Sequence, residues 1–587
     1  MTMKKLFIQE DKREKKPAGY DHVFSFLGGA DFFPDEYLSG EEDLLVYDQI
    51  YDSLLLNLEK NKSKFIYRGV DLIWCFKKAV FECLYRLMLR YLILKELVER
   101  HQNYDLFIEE KPSNSTDPYL SRIVPSSPLS GYSRLHLVPS SLKENELKVS
   151  KPNFIAPFKK LWPRIISKGK PFQAEVAIFS DLAKSDAVLK RLGSKRAVFY
   201  NITSSPKLYV RSLFQRFTFY QATFSGQARY AHLARGLKDE IKKKRPFQGL
   251  KIRDLDCETL AAEYLELLFD SQLPELLFHI DQFRFFFERA RSLKSALLDQ
   301  DINPIYCAFC QLAAQYQAKT FVECHGSLGH KSGYLPLTAD FIFAWGRAQK
   351  DKLTQWGCET ERVIVSGCSR YQSYQDMNSD QIKRRVCREF KLDPDKKLIL
   401  VGFTPLKYYG RVFERRLNKA ISDTLKVTQE FPEAQFILKI HPGDPNKPYY
   451  LKLIKKNELS RKIIVLEKHD SLLLAKAADF LIVYRSTYAI DGFAIGKPVI
   501  CLYDEGICLL LEEYKKFDVF RNVYNPNELE HAISDFLQGK YKPLRLIEAR
   551  RECLNEGNQD PVEIITNHLL NPAIRPVNKQ ELIYHVN

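Results

Sequence analysis

Four clusters in this 587-residue chain have the residue types and spacing that chemistry needs. Lys439 and His441 flank Ile440, so in a strand both side chains leave one face, and Pro442 stops the strand there. A cation beside an imidazole suits a phosphate oxygen, although the same pair also serves as a surface lysine and a turn histidine. Arg485, Ser486 and Thr487 lead straight from a strand into a helix. Ser486 and Thr487 can cap that helix around an anion or cap it with no ligand. Asp491 lies one turn later on the side of Thr487, where it can take ribose hydroxyls or answer the helix dipole. His325 opens a loop with Gly326, Gly329 and Gly333, which permit close backbone approach. A histidine there can act as a general base or hold the loop. Thr404 stands just beyond the strand 396–402, in a loop that runs to Gly410.

Other motifs carry less. Cys307 and Cys310 form a C-x-x-C at an apolar junction of strand and helix, but no second such pair completes a zinc site. Buried thiols packing as small hydrophobes fit better. The twelve cysteines are irregularly spaced, as expected of reduced thiols. Asp299 and Asp301 form a D-x-D that reads as a turn ahead of a strand. Lys242 to Arg245 reads as a solvated charge run. There is no Walker A loop and no G-x-G-x-x-G after a strand, so ATPase and classical dinucleotide readings lose support.

The elements that must position these residues alternate. Strands are expected at 174–180, 196–200, 304–308, 319–324, 340–345 and 362–366, then at 396–402, 435–440, 463–466, 479–484 and 498–503. Helices at 181–192, 282–300, 311–317, 347–356, 415–431 and 471–478 separate them. Such alternation indicates βαβ units and parallel sheets. Ligands in parallel sheets bind beyond the carboxyl ends of strands, where all four clusters fall. The expected division is an accessory region at 1–170, Rossmann-like domains at 171–338 and 339–540, and C-terminal helices and tail at 541–587. The accessory region holds one long helix at 72–100 and a turn-rich stretch at 111–141.

Composition bounds the partners. Apolar residues make up 45% and charged residues 28%, as in an ordinary folded protein. Lysine and arginine number 89 against 73 acids, a net charge of +16, with 13% aromatic residues, which points to an anionic partner: nucleic acid, phosphorylated molecules or an acidic membrane. The N-terminus has no apolar run of signal-peptide length, and no stretch approaches about 18 uncharged apolar residues, so a cytoplasmic protein is expected. Basic and aromatic residues mix between Lys151 and Lys170, which suits an anionic membrane surface. Pro152, Pro157 and Pro163 argue against one clean amphipathic helix, so an exposed loop fits equally.

From about residue 300 to 505 the chain resembles the GT-B sugar-transferase fold, and within it bacterial surface and capsular polysaccharide glycosyltransferases. These include capsule synthesis enzymes, Kdo and polysialic-acid transferases and teichoic-acid glycerophosphotransferases. The segments that carry the resemblance are Glu323 to Gly329, Tyr334 to Asp340, Ala344 to Gly346, Val365 to Tyr371, Lys439 to Pro442 and Arg485 to Asp491. The resemblance implies an α/β fold of two Rossmann-like parallel-sheet domains facing across a cleft, the first for acceptor and the second for donor. It implies His325 as catalytic base. It implies that His441, Ser486 and Thr487 hold the donor phosphates, that Lys439 and Arg485 add charge, that Thr404 faces the phosphates and that Asp491 approaches the ribose. It implies a CMP-, CDP- or UDP-linked donor as substrate, no cofactor or metal, and a glycan or lipid-linked acceptor. It implies a cytoplasmic enzyme, peripheral on the inner membrane, with no nucleic acid. Two departures stand out. The acid-acid-Gly motif of the sialyltransferases should precede His441, yet Asp504, Glu505 and Gly506 follow Thr487. The usual Gln-His-Gly is here Cys324-His325-Gly326. A nucleotide-sugar epimerase of the same fold and a noncatalytic basic protein binding nucleic acid or membrane are the alternatives.

Overall fold

A computed structural model describes residues 3–9, 19–25, 36–38, 40–61, 65–109, 123–138, 173–180, 182–193, 196–202, 218–221, 226–403, 414–441, 447–456, 463–484, 486–502, 511–541, 545–557 and 560–572. The sequence-based expectations for Thr404, Arg485, the 151–170 segment and Asp504 to Gly506 lie outside these residues, as do residues 111–122 and 139–141 of the turn-rich stretch.

The first 138 residues contain a parallel sheet of their own. Strands β1 (Lys4–Gln9), β2 (His22–Ser25), β3 (Tyr104–Glu109) and β4 (Leu135–Val138) lie in the order β2-β1-β3-β4. Helices α1 (Gly40–Lys60) and α2 (Leu72–Arg100) run between them. Asp71 starts α2 by accepting a hydrogen bond from Trp74 N at 3.0 Å. Buried residues on α2 occur nearly all the way round, so one apolar stripe is not enough to cover it. It is enclosed by α1 and by helices of the next block, with which it shares one continuous core.

The first large block is a seven-stranded parallel sheet. Its strands are β5 (Val176–Phe179), β6 (Ala197–Asn201), β7 (Thr218–Gln221), β8 (Ser295–Leu298), β9 (Lys319–Glu323), β10 (Phe341–Ala344) and β11 (Val363–Val365). The order is β11-β10-β9-β8-β5-β6-β7, the doubly wound pattern with its switch point between β5 and β8. Helices α3 (Leu182–Leu192), α4 (Gln227–Lys244), α5 (Glu258–Arg289), α6 (Pro304–Gln315) and α7 (Arg347–Gln355) connect or cover these strands.

Three expectations are corrected here. The strand expected at 304–308 is the start of α6, because Asn303 caps Ile305 N at 3.0 Å with Pro304 in the first turn. The true strand, β8, lies inside the helix expected at 282–300. It is four residues long and buried on both faces, so it shows no alternation to read. The boundary at 338/339 also moves. β10 hydrogen-bonds onto β9 and β11 onto β10, so the first sheet runs to Val365.

The second block is a six-stranded parallel sheet. It comprises β12 (Lys397–Phe403), β13 (Ala434–Lys439), β14 (Ile463–Leu466), β15 (Phe480–Tyr484), β16 (Val499–Leu502) and β17 (Arg521–Val523) in the order β14-β13-β12-β15-β16-β17. This is the Rossmann order, with its switch point between the ends of β12 and β15. Helices α8 (Ser379–Phe390), α9 (Glu414–Val427), α10 (Lys447–Lys456), α11 (Ser471–Ala477) and α12 (Tyr488–Ala494) accompany it. Two doubly wound sheets in tandem give the GT-B fold.

The C-terminal helices divide between the blocks. α13 (Pro526–Leu537) packs on α9 of the second. α14 (Leu546–Leu554) returns to α7, and α15 (Pro561–Leu570) to α3 and β8 of the first. A Cβ on Gly346 would run into the backbone of Glu552 and Cys553, so that return depends on a glycine at the start of α7.

Candidate functional site

The two large sheets touch at their strand-end loops. The loop after β9 carries His325 and Gly326, and the turn after β15 carries Ser486 and Thr487. A Cβ built on Gly326 would lie 3.3 Å from Thr487 Cγ2 and 3.7 Å from the Tyr334 hydroxyl. The structure therefore brings together two clusters that are about 160 residues apart in sequence, as the strand-end rule requires.

His325 is exposed, and its ring stacks on Tyr334 with centroids 4.6 Å apart and planes 15° apart. The Tyr334 hydroxyl donates to Ser327 O at 3.0 Å. Protein mass around the imidazole disfavours its charged form, and Lys184, Lys78 and Arg370 add to that, so its pKa lies below the usual value. A neutral imidazole at pH 7 is the form that accepts a proton. Behind it, buried Gln349 donates to Gly326 O at 3.0 Å while accepting from Trp345 N at 2.9 Å. Glu513, beyond β16, accepts from Leu328 N at 3.3 Å and lies 3.6 Å from Lys352. Both blocks thus hold the glycine loop.

A second junction lies beside the first. Arg370 Nη2 donates to Asp491 Oδ1 at 2.6 Å and to the Tyr371 hydroxyl at 2.8 Å, and that hydroxyl donates to the same Oδ1 at 2.7 Å. The guanidinium also lies over the Trp345 and Tyr371 rings at 5.1 and 4.9 Å. Burial pushes the Asp491 carboxyl up, and Arg370 and Tyr371 pull it back. One link back, Ser369 donates to Glu323 from both N (3.2 Å) and Oγ (3.1 Å). A continuous polar chain therefore runs from the end of β9 to α12.

The remaining expected residues fall out as follows. Ser486 Oγ accepts from Tyr488 N at 3.2 Å, so it is the residue that caps α12, while Thr487 makes no cap bond with its side chain. Asp491, expected at the ribose, receives Arg370 and Tyr371 on its Oδ1. Lys439 is corrected outright. It is buried, and its ammonium donates to Ile440 O at 2.7 Å and Glu467 O at 3.0 Å, closing the ends of β13 and β14. Its alternation with His441 did not bring it to the cleft, because Nζ turns back onto those carbonyls. His441 is half-buried at the end of β13. Cys307 and Cys310 are fully buried on α6, as a packing role requires, and Cys307 Sγ lies 3.7 Å from Thr338 Oγ1. Asp301 is buried and accepts from the N–H groups of Thr338 and Ala339, so the D-x-D is an anchor after β8.

The site residues that sequence reasoning missed are Arg370, Tyr371, Tyr334 and Gln349. Arg370 and Tyr371 end the Val365 to Tyr371 segment and Tyr334 opens another segment of the resemblance, so these two segments held the available signal. Gln349 sits on an ordinary polar helix face and gave none.

A cavity of about 260 Å³ lies elsewhere, between α4 and α5. Its charges pair off, with Lys238 2.6 Å from Asp270 and Lys242 2.9 Å from Glu266. Among the described residues no three His, Cys, Asp or Glu side chains are grouped to hold a metal, and no helix is long and apolar enough to cross a membrane.

No protein-family model matches the chain, and no curated protein does. Solved structures with similar folds exist. The S. aureus protein MnaA, solved with UDP, is 14% identical over 68% of this chain and 96% of its own, with a TM-score of 0.41. A UDP-GlcNAc 2-epimerase from Methanocaldococcus jannaschii is 14% identical over 68% and 99%, with a TM-score of 0.43. A glycosyltransferase from Rickettsia africae is 12% identical over 68% and 100%, with a TM-score of 0.40. At such values the fold rests on the strand orders themselves.

Proposed function

We propose that the protein is a glycosyltransferase, or a glycerophosphotransferase, that uses a nucleotide-activated donor to build a bacterial surface polysaccharide. The observation that carries this reading is the close approach of Gly326, the neighbour of the accessible His325, to Thr487 where two Rossmann sheets meet. The donor's nucleotide would lie on the second block at the switch point between β12 and β15. His325 would take the proton of an acceptor hydroxyl as its oxygen bonds to the donor carbon or phosphorus. The bond to the nucleotide's phosphate oxygen breaks, and the electron pair leaves with the nucleotide. His441, the Thr487 hydroxyl and the cation Arg485 would face the negative charge that develops there. By the resemblance, Thr404 would also face the phosphates.

A thermal-shift panel of CMP, CDP, UDP and GDP tests the reading, because a ligand that binds only the folded state raises apparent stability. A shift with one nucleotide that His441→Ala and Thr487→Ala remove is the expected result. No shift with any nucleotide would overturn it. Consumption of a free nucleotide sugar without an acceptor would instead identify an epimerase. The net charge and the Lys151 to Lys170 segment suggest contact with an anionic inner-membrane surface. Liposome binding that survives replacement of those lysines would remove that part.

A further inference from the structure

The loop that carries His325 has almost no regular structure of its own. After β9 it makes one short 3-10 turn at Lys331–Gly333 before the next strand. Loops of that kind belong to the least stable part of a protein unless something holds them. Here the holding groups come from the N-terminal helices. The Tyr47 ring of α1 stacks on His330, with centroids 4.3 Å apart and planes 28° apart, and its hydroxyl is bonded to the Ser332 hydroxyl. Asp52, on α1, pairs with Lys331 at 3.0 Å. The Tyr51 hydroxyl donates to Leu335 O. On α2, Trp74 Nε1 and Lys77 Nζ each lie 3.3 Å from Thr338 Oγ1. Five positions between 330 and 338 are thus fastened to two helices. The next link is internal, since Tyr334 lies inside the fastened stretch and its ring stacks on His325.

Packing alone does not account for this pattern. α1 and α2 already bury their apolar faces in a common core. The contacts to 330–338 are directional polar and ring contacts, added on top of that core and aimed at one loop. We infer that helices α1 and α2 are a working part of the site, with Tyr47 and Asp52 as positioning residues that hold the His325 loop in register. The role of the N-terminal region is then to fix the acceptor-side base. This rests on the transferase reading for its consequence, but not for its geometry.

The test uses the full chain and two variants. Tyr47→Ala with Asp52→Ala removes the ring stack and the ion pair, while Tyr47→Phe removes only the Ser332 bond. Hydrogen exchange of residues 326–337 should accelerate at least tenfold in the double variant and by about threefold or less in Tyr47→Phe. Transfer measured with a donor found in the nucleotide panel should lose kcat by tenfold or more in the double variant, with donor KM within twofold. Tyr47→Phe should keep most of the turnover. Unchanged exchange in the double variant overturns the inference. So does a donor KM that weakens in step with kcat, which would mark the contacts as general scaffold. If the wild type binds no nucleotide, the transferase reading fails, and the exchange result still decides the brace.

Discussion

Asp491 Oδ1 lies 2.6 Å from Arg370 Nη2, and the two residues belong to different sides of the molecule. Asp491 is on α12 of the second block, and Arg370 follows β11 of the first. The pair is mostly enclosed, with side chains 14% and 21% exposed. Removing one partner strands the other charge, which for a fully buried pair costs about 3–5 kcal/mol. Partial exposure reduces that. Asp491→Asn should therefore lower stability by roughly 2 kcal/mol in urea unfolding. Combined with Arg370→Met it should show a coupling energy above about 0.5 kcal/mol. Strict additivity would mean that the two residues do not act as a clasp.

His325 should show its low pKa in two ways. An unfolded histidine titrates near about 6.5, and the folded one titrates lower. Between those values the unfolded chain holds more protons. Stability should therefore fall as pH drops from about 6.5 towards the folded pKa, and His325→Gln should remove that part of the slope. Urea midpoints at pH 7 and pH 5 for both proteins measure it. As a general base His325 should also stay available below pH 6.5, and His325→Ala should lose about 10²–10⁴-fold in turnover with nucleotide binding intact. An equal loss of nucleotide affinity would place the residue elsewhere in the mechanism.

Lys439 is the sharpest contrast between sequence and structure. Its position beside the His441 and Pro442 pair suggested a phosphate contact, yet its ammonium closes two strand-end carbonyls. Lys439→Met should leave those carbonyls without a donor and destabilise the second block by roughly 1–3 kcal/mol. Nucleotide affinity, measured well below the melting temperature, should not change. A tenfold loss of affinity at unchanged stability would restore the earlier expectation.

The same contrast shows what was legible. Strands such as β12 and β15 are continuous apolar runs in a recurring frame, so their existence and the parallel sheets could be read directly. β8 could not, because four residues buried on both faces carry no period and follow a long apolar helix. That the clusters at 325 and 486 stand at strand ends was legible from the apolar runs that precede them. Their partners were not. Nothing local in Arg370 or Tyr47 announces that each reaches an element more than a hundred residues away, since such contacts follow from topology. The turn-rich stretch that ends the first region also hid its parallel sheet, whose strands are separated by nearly 80 residues between β2 and β3.

Gly326 and Thr487 give the most direct test of the junction between the blocks. A Cβ on Gly326 at 3.3 Å from Thr487 Cγ2 is closer than ordinary methyl contact, and Thr487 sits at the start of a helix whose far side is packed. The neighbour must yield by a few tenths of an ångström, which displaces the Thr487 methyl in the turn that carries Ser486. Gly326→Ala should therefore reduce turnover by about tenfold, with a stability loss within the roughly 1–3 kcal/mol of an overpacked contact. Thr487→Ser deletes the methyl that the new Cβ meets and keeps the hydroxyl. The double variant Gly326→Ala, Thr487→Ser should recover most of the lost activity, whereas Thr487→Ser alone should change little. If the second substitution rescues nothing, the contact does not set the spacing between His325 and the Ser486–Thr487 turn, and the glycine is needed for the shape of its own loop.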